Sequence, residues 1–120
     1  MPMMSKSPTT TRQHARRRPE QRRLPANRPP THPGEMLLEE FLKPLGISQS
    51  ACARHLGISF PRLNEVIHAK RSVTTDTALR LARVTGMGAE FWLGLQQDWD
   101  LWHASRTPQA REIARLEPLR

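Results

Sequence analysis

Apolar residues recur at the three- and four-residue spacing of helices between positions 32 and 103. Nowhere do apolar and polar residues alternate strictly, as they do in a half-buried strand. The pattern therefore predicts an all-α fold with five helices. The apolar positions of these helices, in chain order, are Met36, Leu37, Phe41 and Leu42; Cys52, Ala53 and Leu56; Leu63, Val66 and Ile67; Leu79, Leu81, Ala82 and Val84; and Phe91, Trp92, Leu95, Trp99 and Trp102.

Capping and breaking residues separate these segments. Hydroxyl side chains stand where N-caps are needed, because they can accept hydrogen bonds from the first free N–H groups of a helix. Glycines and a proline stand where helices must end. The predicted N-caps are Ser48, Ser59 and Thr74, and the predicted stops are Pro44, Gly46, Gly57 and Gly86. After residue 103 the chain continues as a tail, 104–120, which has room for a short helix between Pro108 and Pro118.

Residues 49–68 form one unit of a short helix, a three-residue turn and a second short helix. Two helices that cross closely need a small residue at the contact, which Ala53 supplies. The turn needs a positive φ, which Gly57 adopts without steric cost. Apolar residues that would join the crossing to the body of the domain stand at Cys52, Leu56, Ile58, Leu63 and Val66. The whole pattern in register predicts a helix-turn-helix, which places the start of its second helix in the DNA major groove.

Five residues at the start of that second helix are predicted to face DNA bases: Phe60, Pro61, Arg62, Asn64 and Glu65. Arg62 can form a bidentate pair with guanine, and Glu65 can accept from cytosine N4. Phe60 can pack on a thymine methyl group. Two alternatives stay open from the residues alone. Asn64 could instead bridge the helix pair, and Glu65 could pair with Arg62 or Lys70.

A second set of residues is predicted to contact the DNA backbone: Gln49, Arg54, Ser59, Lys70 and Arg71. Gln49 opens the first helix of the pair, where a helix N-terminus and an amide can reach a phosphate. Lys70 and Arg71 follow the second helix and can hold another phosphate. The alternative for Arg54 and Lys70 is an ordinary solvated surface.

The last predicted helix carries all three tryptophans of the chain. Aromatic residues are enriched at protein interfaces, and this helix offers more of them than a small domain needs. We therefore predict a homodimer interface formed by Phe91, Trp92, Leu95, Trp99 and Trp102. The alternative is that these residues complete the core of the monomer.

Charge divides the chain into two parts. The net charge is +8, yet residues 1–30 alone hold eight basic residues against Glu20. Six prolines interrupt this region, which is too polar to bury a core. Residues 1–31 are thus predicted to be a disordered basic arm that adds non-specific nucleic-acid affinity. A solvated tail, or an upstream start codon chosen in error, explains the same composition. The domain is predicted to span 32–103.

Several classes of function are disfavoured. The five histidines lack metal-ligand spacing, and Cys52 has the placement of a core residue, so we expect no enzyme, cofactor, metal or small-molecule ligand. No apolar run is long enough to cross a membrane, so no membrane partner is expected. A single cysteine rules out an internal disulfide and suits a reducing cytoplasm.

Three segments, "HPGEMLLEEFLKPLGIS", "RLNEVIHAKRSVTTDTALRLARVTG" and "EFWLGLQQDWDL", resemble the HigA (VapI-like) antitoxins of bacterial toxin–antitoxin modules. These antitoxins belong to the Xre/λ-repressor-like helix-turn-helix superfamily, and the resemblance covers about residues 31–102. It implies a five-helix λ-repressor-like DNA-binding domain that dimerises through its C-terminal helices. It further implies autorepression at a palindromic operator and neutralisation of a HigB toxin, a RelE-like ribosome-dependent mRNA endonuclease.

The chain departs from the family pattern at two places. The family often has glycine where this chain has Ala69 and Ser72, and polar residues where it has Phe60 and Pro61. The first pair suggests a different turn, and the second affects operator specificity. Two other functions remain as alternatives: a phage- or plasmid-type Xre regulator with no toxin partner, and an RNA-binding or ribosome-associated protein that uses the basic arm.

Overall fold

The computed structural model describes residues 27–120, and every regular element in that range is a helix. The expected disorder of the basic arm concerns residues that lie mostly outside this range. Helix α1 consists of three consecutive stretches, Pro33–Leu37, a π-helical Leu38–Leu42, and Lys43–Leu45. The other helices are α2 (Gln49–Leu56), α3 (Phe60–Ile67), α4 (Thr75–Thr85), α5 (Ala89–Ala104) and the short α6 (Pro108–Ala114). The all-α prediction is confirmed.

The predicted N-caps are confirmed by their hydrogen bonds. Ser48 Oγ accepts from the N–H of Ala51 at 3.1 Å, and Ser59 Oγ accepts from the N–H of Arg62 at 3.2 Å. Thr74 caps α4 in the same way, because its Oγ1 accepts from the N–H of Thr77. These contacts satisfy N–H groups that have no partner within the helix. Three of the four predicted stops are glycines in the left-handed region: Gly46, Gly57 and Gly86.

Pro44 lies inside the last turn of α1 and does not end it. A proline in a regular α-helix presses its ring against the carbonyl four residues earlier, here that of Glu40. The wider π-helical turn that precedes Pro44 accommodates this ring and the missing N–H group. The helix ends two residues later at Gly46, with φ of 66°.

The core lies between α1, α2, α3, α4 and α5. Its buried apolar members are Leu37, Leu42, Cys52, Ala53, Leu56, Leu63, Val66, Ile67, Val73, Ala78, Leu81 and Trp92. Eight of these twelve come from the predicted faces of α1, α2 and α3. The predicted face of α4 was wrong in part, because Leu79 and Val84 are exposed while Ala78 and Thr77 are buried. Ala78 and Leu81 are three residues apart and share a face, whereas Leu79 lies about 100° from Ala78 around the helix.

His32 is a cap that the sequence did not suggest. It is buried, its Nδ1 accepts from the N–H of Gly34 at 2.9 Å, and its ring lies edge-on to Trp99 with centroids 4.9 Å apart. Nδ1 can accept this hydrogen bond only while it is unprotonated. Burial lowers the pKa of His32 and His103 lowers it further, while the carboxylate of Asp100 acts in the opposite direction.

We expect this cap to make stability depend on pH. The unfolded chain binds a proton at His32 near pH 6.5, before the folded chain does, because the pKa is lower in the fold. The contribution is therefore complete above pH 6.5 and is lost as pH falls through the lower, folded-state pKa. Urea unfolding between pH 7.5 and 5 measures it. His32→Asn, whose amide oxygen can cap without titrating, is the control, and an equally steep pH dependence in that variant would contradict the prediction.

Ala69, just after α3, has φ of 60°, which non-glycine residues rarely adopt. The strain costs about 1 kcal/mol or slightly more. We expect Ala69→Gly to raise the free energy of unfolding by about 0.5–1 kcal/mol, since relief of strain exceeds the entropy that glycine loses on folding. Thermal denaturation measures this. Ala51→Gly, at a helical position of α2, is the control and should lower stability by about 1 kcal/mol. A lower melting temperature for Ala69→Gly would refute the prediction.

Candidate nucleic-acid interface

Hydrogen bonds from α4 fix the turn between α2 and α3. Gly57 has φ of 71°, and the carbonyl groups of Leu56 and Gly57 both accept from Arg80 Nη1, at 2.9 and 3.2 Å. These carbonyls lie at the C-terminus of α2, where a cation is favourable. Arg80 therefore fixes the turn that positions α3. Its four-residue spacing from Asp76 is visible in the sequence, but its contact with α2 requires the tertiary fold.

The exposed tip of α3 is apolar. Phe60 is 45% exposed and Pro61 beside it is also exposed, so neither belongs to the core. The hydroxyl of Ser59 is engaged as the N-cap of the helix. An aromatic ring next to a proline thus projects where the sequence predicted contact with bases.

Arg62 is directed toward α4, which differs from the prediction. Its Nη2 donates to Asp76 Oδ2 at 2.9 Å and to Thr77 Oγ1 at 2.7 Å. The Arg62 side chain is 29% exposed. A guanine contact would require these two bonds to break, so this geometry does not by itself support a base-reading role for Arg62.

Asn64 bridges α2 and α3, as the alternative interpretation held. Its Nδ2 donates to Gln49 Oε1 at 2.9 Å, and both side chains are partly buried. The bond joins a residue assigned to bases with one assigned to a phosphate. Because the oxygen of Gln49 is held by Asn64, its NH₂ group is the end left to donate at the start of α2.

Glu65 forms an ion pair, although its partner is neither of the two residues that the alternative interpretation named. Its Oε1 accepts from Arg71 Nη2 at 2.7 Å and from Arg71 Nε at 2.8 Å. The positive φ of Ala69 reverses the chain, so that Arg71 rather than Lys70 returns to α3. The alternative that Glu65 pairs with Arg62 or Lys70 is therefore wrong in its partner, and both members of the observed pair are about half exposed.

Cationic side chains surround this surface. Arg54 on α2 and Lys70 after α3 are both exposed. Hydrogen bonds from Arg62 and then from Arg80 lower the pKa of Asp76, so its carboxylate stays charged. Within residues 27–120, no group of side chains is arranged to hold a metal ion. None of the helices in the same range is long and apolar enough to cross a membrane.

The aromatic residues of α5 divide between the core and the surface. Trp92 is 0% exposed, so its assignment to a dimer interface is wrong. Phe91 and Leu95 pack against the core while remaining partly exposed. Trp99 contacts His32 and His103. The guanidinium of Arg106 lies over the Trp102 ring, 3.8 Å from the ring centre. Leu101, 50% exposed, is an apolar surface residue that the sequence prediction missed.

Comparison with known proteins agrees with this architecture. A family model described as helix-turn-helix matches residues 38–92. Virulence-associated protein I of Dichelobacter nodosus is 46% identical over 85 residues, which are 71% of this chain and 79% of that protein. The uncharacterized HTH-type transcriptional regulator YbaQ of Escherichia coli K12 is 37% identical over 93 residues, which are 77% of this chain and 82% of YbaQ.

A solved structure has the same fold. The Pseudomonas aeruginosa antitoxin HigA, determined with the higBA promoter, superposes with a TM-score of 0.70 at 37% identity, over 76% of this chain and 99% of that one. These similar proteins are named as an antitoxin, a transcriptional regulator and a virulence-associated protein, and none of the three is named as an enzyme. The resemblance inferred from the sequence is confirmed: the chain belongs to the HigA (VapI-like) family of helix-turn-helix proteins.

Proposed function

We propose that this protein is the DNA-binding antitoxin of a type II toxin–antitoxin module. It binds double-stranded operator DNA as a homodimer, represses its own operon and neutralises a HigB/RelE-like mRNA endonuclease. One observation carries the proposal: the chain shares its fold and 37% of its aligned residues with an antitoxin HigA determined with its promoter. The exposed start of α3, flanked by cations, is the surface that such binding needs.

Contacts to DNA divide into two kinds. The exposed cations Arg54 and Lys70, together with the NH₂ group of Gln49, are suited to phosphates, which position a protein without reading sequence. Phe60 and Pro61 at the tip of α3 are suited to apolar contact with thymine methyl groups. The operator is then read in part by shape and apolar contact.

A homodimer follows from the symmetry of such operators. Two α3 helices related by a two-fold axis reach half-sites about 34 Å apart, one turn of DNA. The surface of α5 that remains available after the burial of Trp92 includes Leu101 and part of Trp102. Exposed apolar residues at the C-terminal end of α5 are candidates for this interface.

The test is co-expression with the product of the adjacent gene, followed by pull-down and by footprinting on the DNA upstream of the operon. Co-purification with an mRNA-cleaving toxin, together with a two-fold symmetric footprint, is the expected result. A footprint without a toxin would support the alternative, a transcriptional regulator with no toxin partner, which the similarity to YbaQ favours. Equal affinity for operator DNA, scrambled DNA and duplex RNA would contradict both and favour the RNA-binding alternative.

Phe60→Ala tests apolar readout. We expect it to lower discrimination between the operator and variants that lack the contacted thymine methyl group by about 1 kcal/mol, roughly fivefold, the low end of the range for a specific base contact. Stability should barely change, because Phe60 is 45% exposed. Titration of labelled operator variants measures the effect. Unchanged discrimination in a variant with a normal melting temperature would show that Phe60 does not read the operator.

A further inference from the structure

Asp76 accepts from two arginines through one oxygen atom. Its Oδ2 lies 2.9 Å from Arg62 Nη2 and 2.9 Å from Arg80 Nε. Arg62 lies in the first turn of α3, beside the exposed Phe60 and Pro61. Arg80 lies on α4, as does Asp76. The same Nη2 atom of Arg62 also donates to Thr77 Oγ1. The guanidinium nearest the proposed base-reading tip is therefore held on the neighbouring helix.

The bond between Arg62 and Asp76 is arranged so that it can open at small cost. The Asp76 side chain is 57% exposed, and an ion pair in such surroundings strengthens an equilibrium by a factor of about five at most. Arg80 stays in place when Arg62 leaves, since it also donates to the carbonyls of Leu56 and Gly57. Asp76 thus keeps a cationic partner in either state, and no charge is left unpaired.

We propose that Asp76 is a specificity-determining residue that holds Arg62 on α4 until operator DNA offers Arg62 a better partner. A bidentate guanine contact discriminates by roughly 5- to 150-fold, which exceeds the strength of the exposed ion pair. Arg62 is then released on operator DNA and reads a base, as the sequence predicted. DNA that lacks the guanine leaves Arg62 on Asp76. The inference rests on the proposed function and assigns a role to a residue outside the helix-turn-helix.

The test is a double-mutant cycle on the full chain, read as operator affinity at fixed salt. Asp76→Asn should raise affinity by about 2- to 5-fold, because the competitor for Arg62 is gone. We call the retention of Arg62 by Asp76 the latch. Removing a negative charge near DNA also raises affinity by itself, even if the latch does not exist. That general effect persists when Arg62 is replaced by Gln, whereas the latch effect does not. We therefore expect Asp76→Asn to change affinity less than twofold in an Arg62→Gln background.

Thr77→Val provides a charge-neutral variant. It removes the second acceptor of Arg62 while keeping the shape of the buried side chain, and it should raise operator affinity by about 2- to 3-fold, again only when Arg62 is present. This variant decides the question if Asp76→Asn does not fold. Glu40→Gln, at an exposed position of α1, makes the same charge change elsewhere and should have no effect that depends on Arg62.

The outcomes separate the latch from the proposed function. A wild-type protein that prefers its operator, combined with equal effects of Asp76→Asn in both backgrounds, overturns the latch alone. A loss of affinity in both Asp76→Asn and Thr77→Val also overturns it. That result would mean that the bonds from Arg62 to α4 serve to hold α3 in position. A wild-type protein with no preference for operator over scrambled DNA overturns the proposed function and the latch together.

Discussion

Gly34→Ala is expected to lower the free energy of unfolding by about 3 kcal/mol or more, at or beyond the upper end of ordinary overpacking. A Cβ atom at Gly34 would lie 2.0 Å from the carbonyl oxygen of Val66 and 2.7 Å from Ile67 Cα. Both are backbone atoms at the end of α3, so no side-chain rotation relieves the clash. The start of α1 would have to move away from α3, and the buried His32 cap and Pro33 would move with it.

Thermal denaturation would show this as a melting temperature lower by about 12–24 °C, given about 4–8 °C for each kcal/mol in a domain of this size. Gly88→Ala is the matched control. Its φ is −59°, and an added Cβ would meet only the flexible carboxylate of Glu90, at 3.0 Å. We expect the control to stay within about 1 kcal/mol of the wild type. If Gly34→Ala melted within a few degrees of Gly88→Ala, the close approach of α1 and α3 would be disproved.

The helix-turn-helix was predictable because its signals are local. Ser48 and Ser59 each cap a helix through a bond to a residue three positions away, and Gly57 adopts a conformation set by its own backbone. Such short-range chemistry is visible in a sequence. The outlines of α2 and α3, and the exposed position of Phe60 at the tip, followed from it.

Contacts between distant residues were not predictable in the same way. Gln96 is buried on α5, where its Oε1 accepts from the N–H of Val73 at 2.8 Å and its Nε2 donates to Asp100 at 2.9 Å. From the sequence alone, a glutamine in a helix is expected to face solvent. Only the fold shows that the buried N–H of Val73, in the loop after α3, needs an acceptor at this position. His32 and Gly34 escaped notice for the same reason.

The face of α5 was ambiguous because its apolar residues extend around the helix. Phe91, Trp92, Leu95, Trp99 and Trp102 share an arc of about 100°, but the apolar residues Leu93 and Leu101 lie outside it. Periodicity selects a buried face only where polar residues mark the opposite one. The spacing therefore could not separate the buried Trp92 from the partly exposed Trp102. Similarly, the residue types near α3 indicated nucleic-acid chemistry but not the partners that Arg62, Asn64 and Glu65 have within the chain.

Removing both cations after α3, by Lys70→Gln and Arg71→Gln, is expected to weaken operator binding by about 100-fold near 0.1 M salt. Each neutralised phosphate contributes about 0.9 to the slope of log K against log salt, or roughly tenfold in affinity at that salt concentration. The double variant should therefore reduce the slope by about 2, and it should weaken operator and scrambled DNA alike, since phosphates carry no sequence information. Titrations at several salt concentrations measure the slope. Arg111→Gln with Arg115→Gln, both exposed residues beyond α5, is the control of equal charge.

Glu65 makes the role of Arg71 separable from that of Lys70. In the free protein Arg71 neutralises the Glu65 carboxylate through two bonds to Oε1. Arg71→Gln alone would remove a phosphate contact and also leave that carboxylate unpaired on the surface facing DNA, so its loss should exceed that of Lys70→Gln. Adding Glu65→Gln should then restore part of the affinity. An unchanged salt slope in the Lys70 and Arg71 double variant would mean that the loop after α3 does not touch the DNA backbone, whereas no recovery with Glu65→Gln would mean that the Glu65 carboxylate does not face the DNA.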